Sequence, residues 1–157
     1  MSLEKVVAIG GDTGTYTLLR GMKKYPVDIT AVVSMADDGG STGKLRDEYG
    51  ILPPGDVRRC LIALSDSSQL MKKLFEYRFD RGAFNGHSFG NLLITALREV
   101  VGDYGEAVKE ASKILNVRGK VLPVTLDNVR LYAKLENGET IVGETNIDIP
   151  KHDPSLK

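Results

Sequence analysis

Hydrophobic positions along the chain fall into two kinds of pattern. Lys5-Val6-Val7-Ala8-Ile9 and the segment from Asp28 to Ser34 are continuous apolar runs that end in glycine or polar loops, which predicts strands buried in a parallel sheet. Between them Leu18, Leu19 and Met22 share one face of a helix spanning about Thr15 to Lys24, and Tyr25-Pro26 ends it. A strand–helix–strand unit of this size reads as a right-handed crossover. Helical patterns follow over Lys44 to Tyr49, over Asp56 to Leu64 with Asp56 as the capping residue, and over Gln69 to Tyr77. After Phe84-Asn85-Gly86-His87 comes an amphipathic helix that turns Leu92, Leu93, Ala96, Leu97, Val100 and Val101 inward. Another spans Asp103 to Leu115, with Ala107, Val108, Ala111 and Leu115 inward.

The last third changes period. Val129 to Glu136 and Glu139 to Asn146 partly alternate around Asn137-Gly138, the strongest short hairpin signal. The pattern therefore predicts an α/β body with an antiparallel flap. Residues 1–147 form the domain, and 148–157 form a polar tail expected to fray.

Composition narrows the class. The 157 residues are 41% hydrophobic and 27% charged, the profile of a folded globular domain. Twenty-one Lys and Arg balance 21 Asp and Glu, so there is no basic sheath for nucleic acid or an anionic membrane. No apolar run approaches the length of a spanning helix. Cys60 is the sole cysteine, which leaves no internal disulfide and suits a cytoplasmic setting. It falls on the inward side of its helix beside Leu61 and Leu64 and reads as core.

The 17 glycines cluster just before helices, and that is where chemistry is expected. Gly10-Gly11-Asp12-Thr13-Gly14 joins the first strand to the first helix, where backbone N–H groups and the helix dipole favour an anion. It is neither a dinucleotide fingerprint nor a Walker loop, and it also suits a plain tight turn. Asp12 in such a cradle caps the helix, holds a cation, or weakens the site. Asp37-Asp38-Gly39-Gly40-Ser41-Thr42-Gly43 follows the second strand on the same edge. Its acidic pair suits Mg²⁺, and Lys44 and Arg46 suit a diphosphate. Otherwise it is a solvated turn. Arg58 and Arg59 are phosphate candidates or solvated helix residues. Gly86-His87-Ser88-Phe89-Gly90-Asn91 forms another glycine-flanked helix start, with His87, Gly90 and Asn91 as ligand candidates and Ser88 as a cap. No organic cofactor is expected, and no residue is assigned as catalytic.

Gly-Gly-x-Thr-Gly, Ala-Asp-Asp-Gly-Gly-Ser-Thr-Gly-x-Leu-Arg, Pro-Pro-Gly-Asp-x-Arg and Gly-His-Ser-x-Gly-Asn-Leu-Leu occur here in that order. Together they resemble the YvcK/CofD-like family, with Val117-Arg118-Gly119-Lys120-Val121-Leu122-Pro123 fitting its gluconeogenesis-factor branch. The resemblance implies a Rossmann-like three-layer α/β fold and a bacterial cytoplasmic protein that binds uridine-diphosphate sugars, notably the N-acetylglucosamine form, and supports gluconeogenic growth and cell shape. The other branch implies a Mg²⁺-dependent transfer of a phospholactyl-type group to a deazaflavin alcohol.

By motif, the resemblance carries ligand binding onto Gly10, Gly11, Thr13, Gly14, Ser41, Gly43, Arg46 and Asn91, and metal binding onto Asp37 and Asp38. Asp12 stands where the family usually has glycine. Family members are about twice this long, so the three parallel strands and one hairpin read as the N-terminal half of the template. Three functions follow: a nucleotide-sugar-binding regulator without turnover, which is favoured; the transferase; and a non-binding chain that acts through protein contacts. An open sheet edge favours self-association.

Overall fold

A strand–helix–strand unit opens the chain. In the computed structural model, which describes residues 3–148, β1 (Glu4–Gly10) leads into α1 (Thr13–Met22) and returns as β2 (Val27–Val33). Five helices follow: α2 (Gly40–Tyr49), α3 (Gly55–Leu64), α4 (Gln69–Glu76), α5 (Phe89–Val101) and α6 (Tyr104–Ile114). Then come β3 (Lys120–Pro123), the hairpin strands β4 (Tyr132–Lys134) and β5 (Thr140–Val142), and α7 (Glu144–Asp148). The expected polar tail lies outside the described residues, except for Asp148.

The sheet has the order β1-β2-β3 and is parallel throughout. Its register sets Gly10 beside Val33, and Ser34 donates to the Gly10 carbonyl at 2.9 Å. Both glycine-rich loops therefore leave the same edge, as their position after the strands predicts. The separate β4–β5 pair confirms the flap. Its turn closes by Gly138 N–H to Leu135 O at 2.9 Å and Leu135 N–H to Glu139 O at 2.8 Å.

Burial alternates along the strands. Ala8, Ile29, Ala31, Val33 and Val121 point into a core with Leu19, Leu61, Leu64 and Leu115. Each of the Val, Ile and Leu side chains among them contributes about 1.5–3 kcal/mol when fully buried. The helices touching the sheet are α1, α3 and α6. On the opposite face Val7 and Ile9 are 60% and 79% exposed, and Leu122 is also exposed. The first run was expected to be buried on both faces. Only its Ala8 side is covered among the described residues, because the sheet-contacting helices all meet the face that Ala8 shares.

Local starts and stops mostly follow the expected chemistry. Ser88 caps α5 by accepting from Asn91 N–H at 3.2 Å, and Cys60 is fully buried with its thiol pushed up to about 12 by burial. Ala107, Val108, Ala111 and Leu115 are all buried in or beside α6. Two expectations change. α2 begins at Gly40, inside the loop read as irregular. The phase of α5 is also rotated: Ile94, Asn91 and Thr95 are buried while Val100 is 82% exposed. Amphipathic spacing identifies this helix, but the polar partners of Asn91 set which face turns in.

Candidate functional site

A cleft of about 810 Å³ opens above the carboxyl ends of the strands. Three helices begin at it. Residues of the first turns of α2 and α3 line it, as does Asp12, the N-cap residue of α1. None of the three has a side-chain cap, whereas α4, α5 and α6 are capped by Ser68, Ser88 and Asp103. Uncapped first turns leave backbone N–H groups without a partner and place positive dipole ends together.

Asp12 leaves its own helix uncapped because its carboxylate turns aside to the Arg59 guanidinium. It also accepts from the Thr13 hydroxyl at 3.1 Å. Hydrogen bonding from the Thr13 backbone, helped by Arg59, holds the Asp12 carboxyl below its usual range. Gly11 is required next to it, since any side chain there would collide with the Asp56 carboxylate. Gly10 ends β1 behind this turn, and Gly14 lies in the first turn of α1.

The two adjacent aspartates part company. Asp37 Oδ1 accepts from Gly39 N–H at 2.9 Å, and Asp37 lines the cleft. Asp38 instead accepts from Glu144 N–H at 3.1 Å and from both the Thr145 N–H and hydroxyl at 2.9 Å. Against the upward push of partial burial, these bonds keep its carboxyl below the ordinary range. Asp38 thus anchors the start of α7, and the expected metal pair Asp37–Asp38 does not converge.

Arg46, expected to meet the ligand, is a strap. Buried to 6% exposure, it donates to Asp37 O at 2.9 Å, Asn128 Oδ1 at 2.6 Å and Val129 O at 2.8 Å. Gly43 packs on the Asp38 carbonyl within α2, so it too is structural.

Behind the cleft wall runs a chain of buried polar groups. Arg58 Nε donates to Asn91 Oδ1 at 2.8 Å, Asn91 Nδ2 donates to Ser41 Oγ at 3.3 Å, and Ser41 Oγ meets His87 Nδ1 at 3.1 Å. Gly90 lets α5 approach, because a side chain there would sit 2.6 Å from both Arg58 Cδ and the Phe75 carbonyl. Arg58 is only 8% exposed, and among the described residues no carboxylate pairs with it. Burial and the neighbouring Arg59 and Arg78 push it down to about 10. It lines the cleft together with Ser41, Asn91, Gly39 and Gly40. His87 supports Ser41 from behind.

Three further cleft residues were not expected. Asp56, read as a cap, makes no side-chain cap bond and faces the cleft from the first turn of α3. Burial first, then repulsion from Asp37, pushes its carboxyl up to about 6. Glu144, read as hairpin, is raised by burial and by Asp37 and Asp38. Arg78 reaches the rim and donates to the Gly86 carbonyl. Asp56 stands beside Arg58 and Arg59 in sequence and could have been suspected. Glu144 and Arg78 carried no local signal.

Among the described residues no three His, Cys, Asp or Glu side chains form a metal-holding group. Mg²⁺ needs only one or two carboxylates when substrate phosphates and water complete its shell. The mutually repelling carboxylates of Asp37 and Asp56 meet that requirement, and would hold such an ion in place of the Asp37–Asp38 pair.

A family model described as 2-phospho-L-lactate transferase CofD matches residues 6–156. A protein of Nostoc sp. is 56% identical over 144 residues, which cover 91% of this chain and 32% of that protein. The gluconeogenesis factor of Bacillus subtilis is 50% identical over 154 residues, covering 98% of this chain and 48% of its own length. A crystal structure of a Bacillus halodurans protein described as a member of the UPF0052 family superposes with a TM-score of 0.91 at 46% identity, covering 96% of this chain and 49% of that one. The chain thus spans about a third to a half of the relatives it matches.

Proposed function

The chain belongs to the CofD family, and on that premise we propose that it works as a gluconeogenesis-factor-type regulator that holds a nucleotide sugar in this cleft without turning it over. The observation that carries the reading is the convergence of three helix starts without side-chain caps on the buried Arg58, which among the described residues has no carboxylate counter-ion. A buried charge without a counter-ion is costly, and an anionic diphosphate removes that cost. The unpartnered N–H groups of the helix starts supply charge-assisted hydrogen bonds to the same anion. Asp37, Asp56 and Glu144 remain as acceptors for sugar or ribose hydroxyls. A volume of about 810 Å³ lies within the range of small-molecule sites.

Thermal denaturation with uridine-diphosphate-N-acetylglucosamine, with and without Mg²⁺, tests this. A ligand at one hundred times its Kd stabilises by about 2.7 kcal/mol. Stabilisation of the wild type that does not need metal, and that disappears in Arg58→Gln, supports the reading. Absence of stabilisation by any nucleotide refutes it. A second reading, the Mg²⁺-dependent phospholactyl-type transferase, draws on Asp37 and Asp56. In it Mg²⁺ would neutralise phosphate charge, and the chain's own groups would position the ligand. Stabilisation only when Mg²⁺ is present favours that alternative.

A further inference from the structure

A second concavity of about 420 Å³ lies outside the cleft, between α1, α3 and α4. Ile62 and Ala63 of α3 line it, together with Tyr16 of α1. Its remaining lining is four cations, one acid and one amide: Arg20, Lys23 and Lys24 at the end of α1, Lys72 from α4, and Glu76 and Gln69 at the two ends of α4. Lys23 is neutralised by Asp66 at 3.1 Å and also donates to the Ser65 carbonyl at 2.6 Å. Among the described residues, Arg20, Lys24 and Lys72 have no carboxylate at ion-pair distance. Arg20 instead lies 5.5 Å from the Tyr16 ring centroid.

Helix electrostatics explain only part of this. Cations in the last turn of α1 offset its dipole, but Lys72 sits one turn into α4, toward the positive end, where a cation gains nothing from its own helix. Arg20, Lys24 and Lys72, set against the single carboxylate of Glu76, leave an excess of positive charge over the apolar floor of Ile62 and Ala63 and make an electropositive hollow in a chain of zero net charge.

We propose that this groove is a second binding site, for a small soluble polyphosphate-type anion. Its concavity suits a compact ligand. A nucleic acid would need an extended basic face, and the charge balance of the chain does not supply one. Glu76, shared with the narrower hollow that leads to Arg58 and Arg59, stands between the two sites and separates their anions.

Calorimetric titration with sodium tripolyphosphate tests the proposal on the wild type, Arg20→Ala/Lys72→Ala and Arg58→Gln. Arg20 is exposed and Lys72 half-buried, and neither side chain makes a hydrogen bond or ion pair among the described residues, so the double variant is expected to melt with the wild type. The expected result is a groove binding event that persists in Arg58→Gln and weakens about tenfold or more in the double variant. Lys24→Ala/Lys72→Ala provides a second arm should the first variant fold poorly. If the double variants titrate like the wild type, or if Arg58→Gln abolishes all binding, the proposal is overturned. Displacement of tripolyphosphate by single-stranded RNA at lower concentration would overturn the ligand class. Loss in the double variants with no effect of Arg58→Gln supports the groove as the site that takes tripolyphosphate, and the cleft reading stands or falls separately on the uridine-diphosphate-N-acetylglucosamine test.

Discussion

Replacing Asp56 by asparagine isolates the electrostatic load of the cleft. The side chain faces Asp37 and makes no hydrogen bond or ion pair among the described residues, so the isosteric amide removes charge and little else. Its carboxyl lies at about 6 against an ordinary 3.8, raised by burial and then by Asp37. That displacement sets a ceiling of about 3 kcal/mol, at 1.36 kcal/mol per unit of pKa. Water in the open cleft screens part of it, which leaves an expected 1–2 kcal/mol, roughly.

The sign follows from proton counting. Between pH 4 and 6 the folded state keeps a proton that the unfolded chain has released, so stability falls as pH rises through that window, and the loss is complete above about 6. Asp56→Asn removes this loss. Urea unfolding across pH 4–7 should show the variant matching the wild type near pH 4 and exceeding it by roughly 1–2 kcal/mol at pH 7, a melting difference of about 2–8 °C. Asp37→Asn should shrink the difference, because it removes the repulsion that helps raise Asp56. A difference that stays flat with pH, or a variant less stable at pH 7, would refute the account of the cleft.

Asp12→Gly frees Arg59 and removes a negative charge beside the proposed phosphate position. Affinity for uridine-diphosphate-N-acetylglucosamine by calorimetry should rise about fivefold, for a change of ~1 kcal/mol. Unchanged or weaker binding would count against a phosphate at that loop. Asp38→Ala removes the three hydrogen bonds that hold the start of α7. Amides of α7 and β5 should then exchange faster, with a global loss of only ~1–2 kcal/mol. Equal protection in both proteins would mean that Asp38 anchors nothing.

Some of this site was legible in sequence for a local reason. A glycine-rich turn after a strand must leave the sheet edge, so position alone sets Gly10–Gly14 and Asp37–Ser41 on one side. Asn91 and Arg58 read in sequence as polar groups at helix starts, and only packing makes them partners. For Asp38, Arg46 and Asp56 residue type alone suggests a ligand, metal or capping role, while the contacts each makes are decided by a distant partner: Thr145 for Asp38, Asn128 for Arg46 and the facing Asp37 for Asp56.

The sequence alone determined the alternation of strand and helix, the parallel crossover, the Asn137-Gly138 hairpin, the burial of Cys60 and the family pattern, because periodicity and turn chemistry act within a few residues. Only the tertiary structure decided which acid faces the cleft, which arginine is left unpaired, which face of α5 turns inward and which face of the sheet is covered. Those outcomes depend on contacts between residues up to 107 positions apart, and a polar side chain takes whichever partner packing brings within about 3 Å.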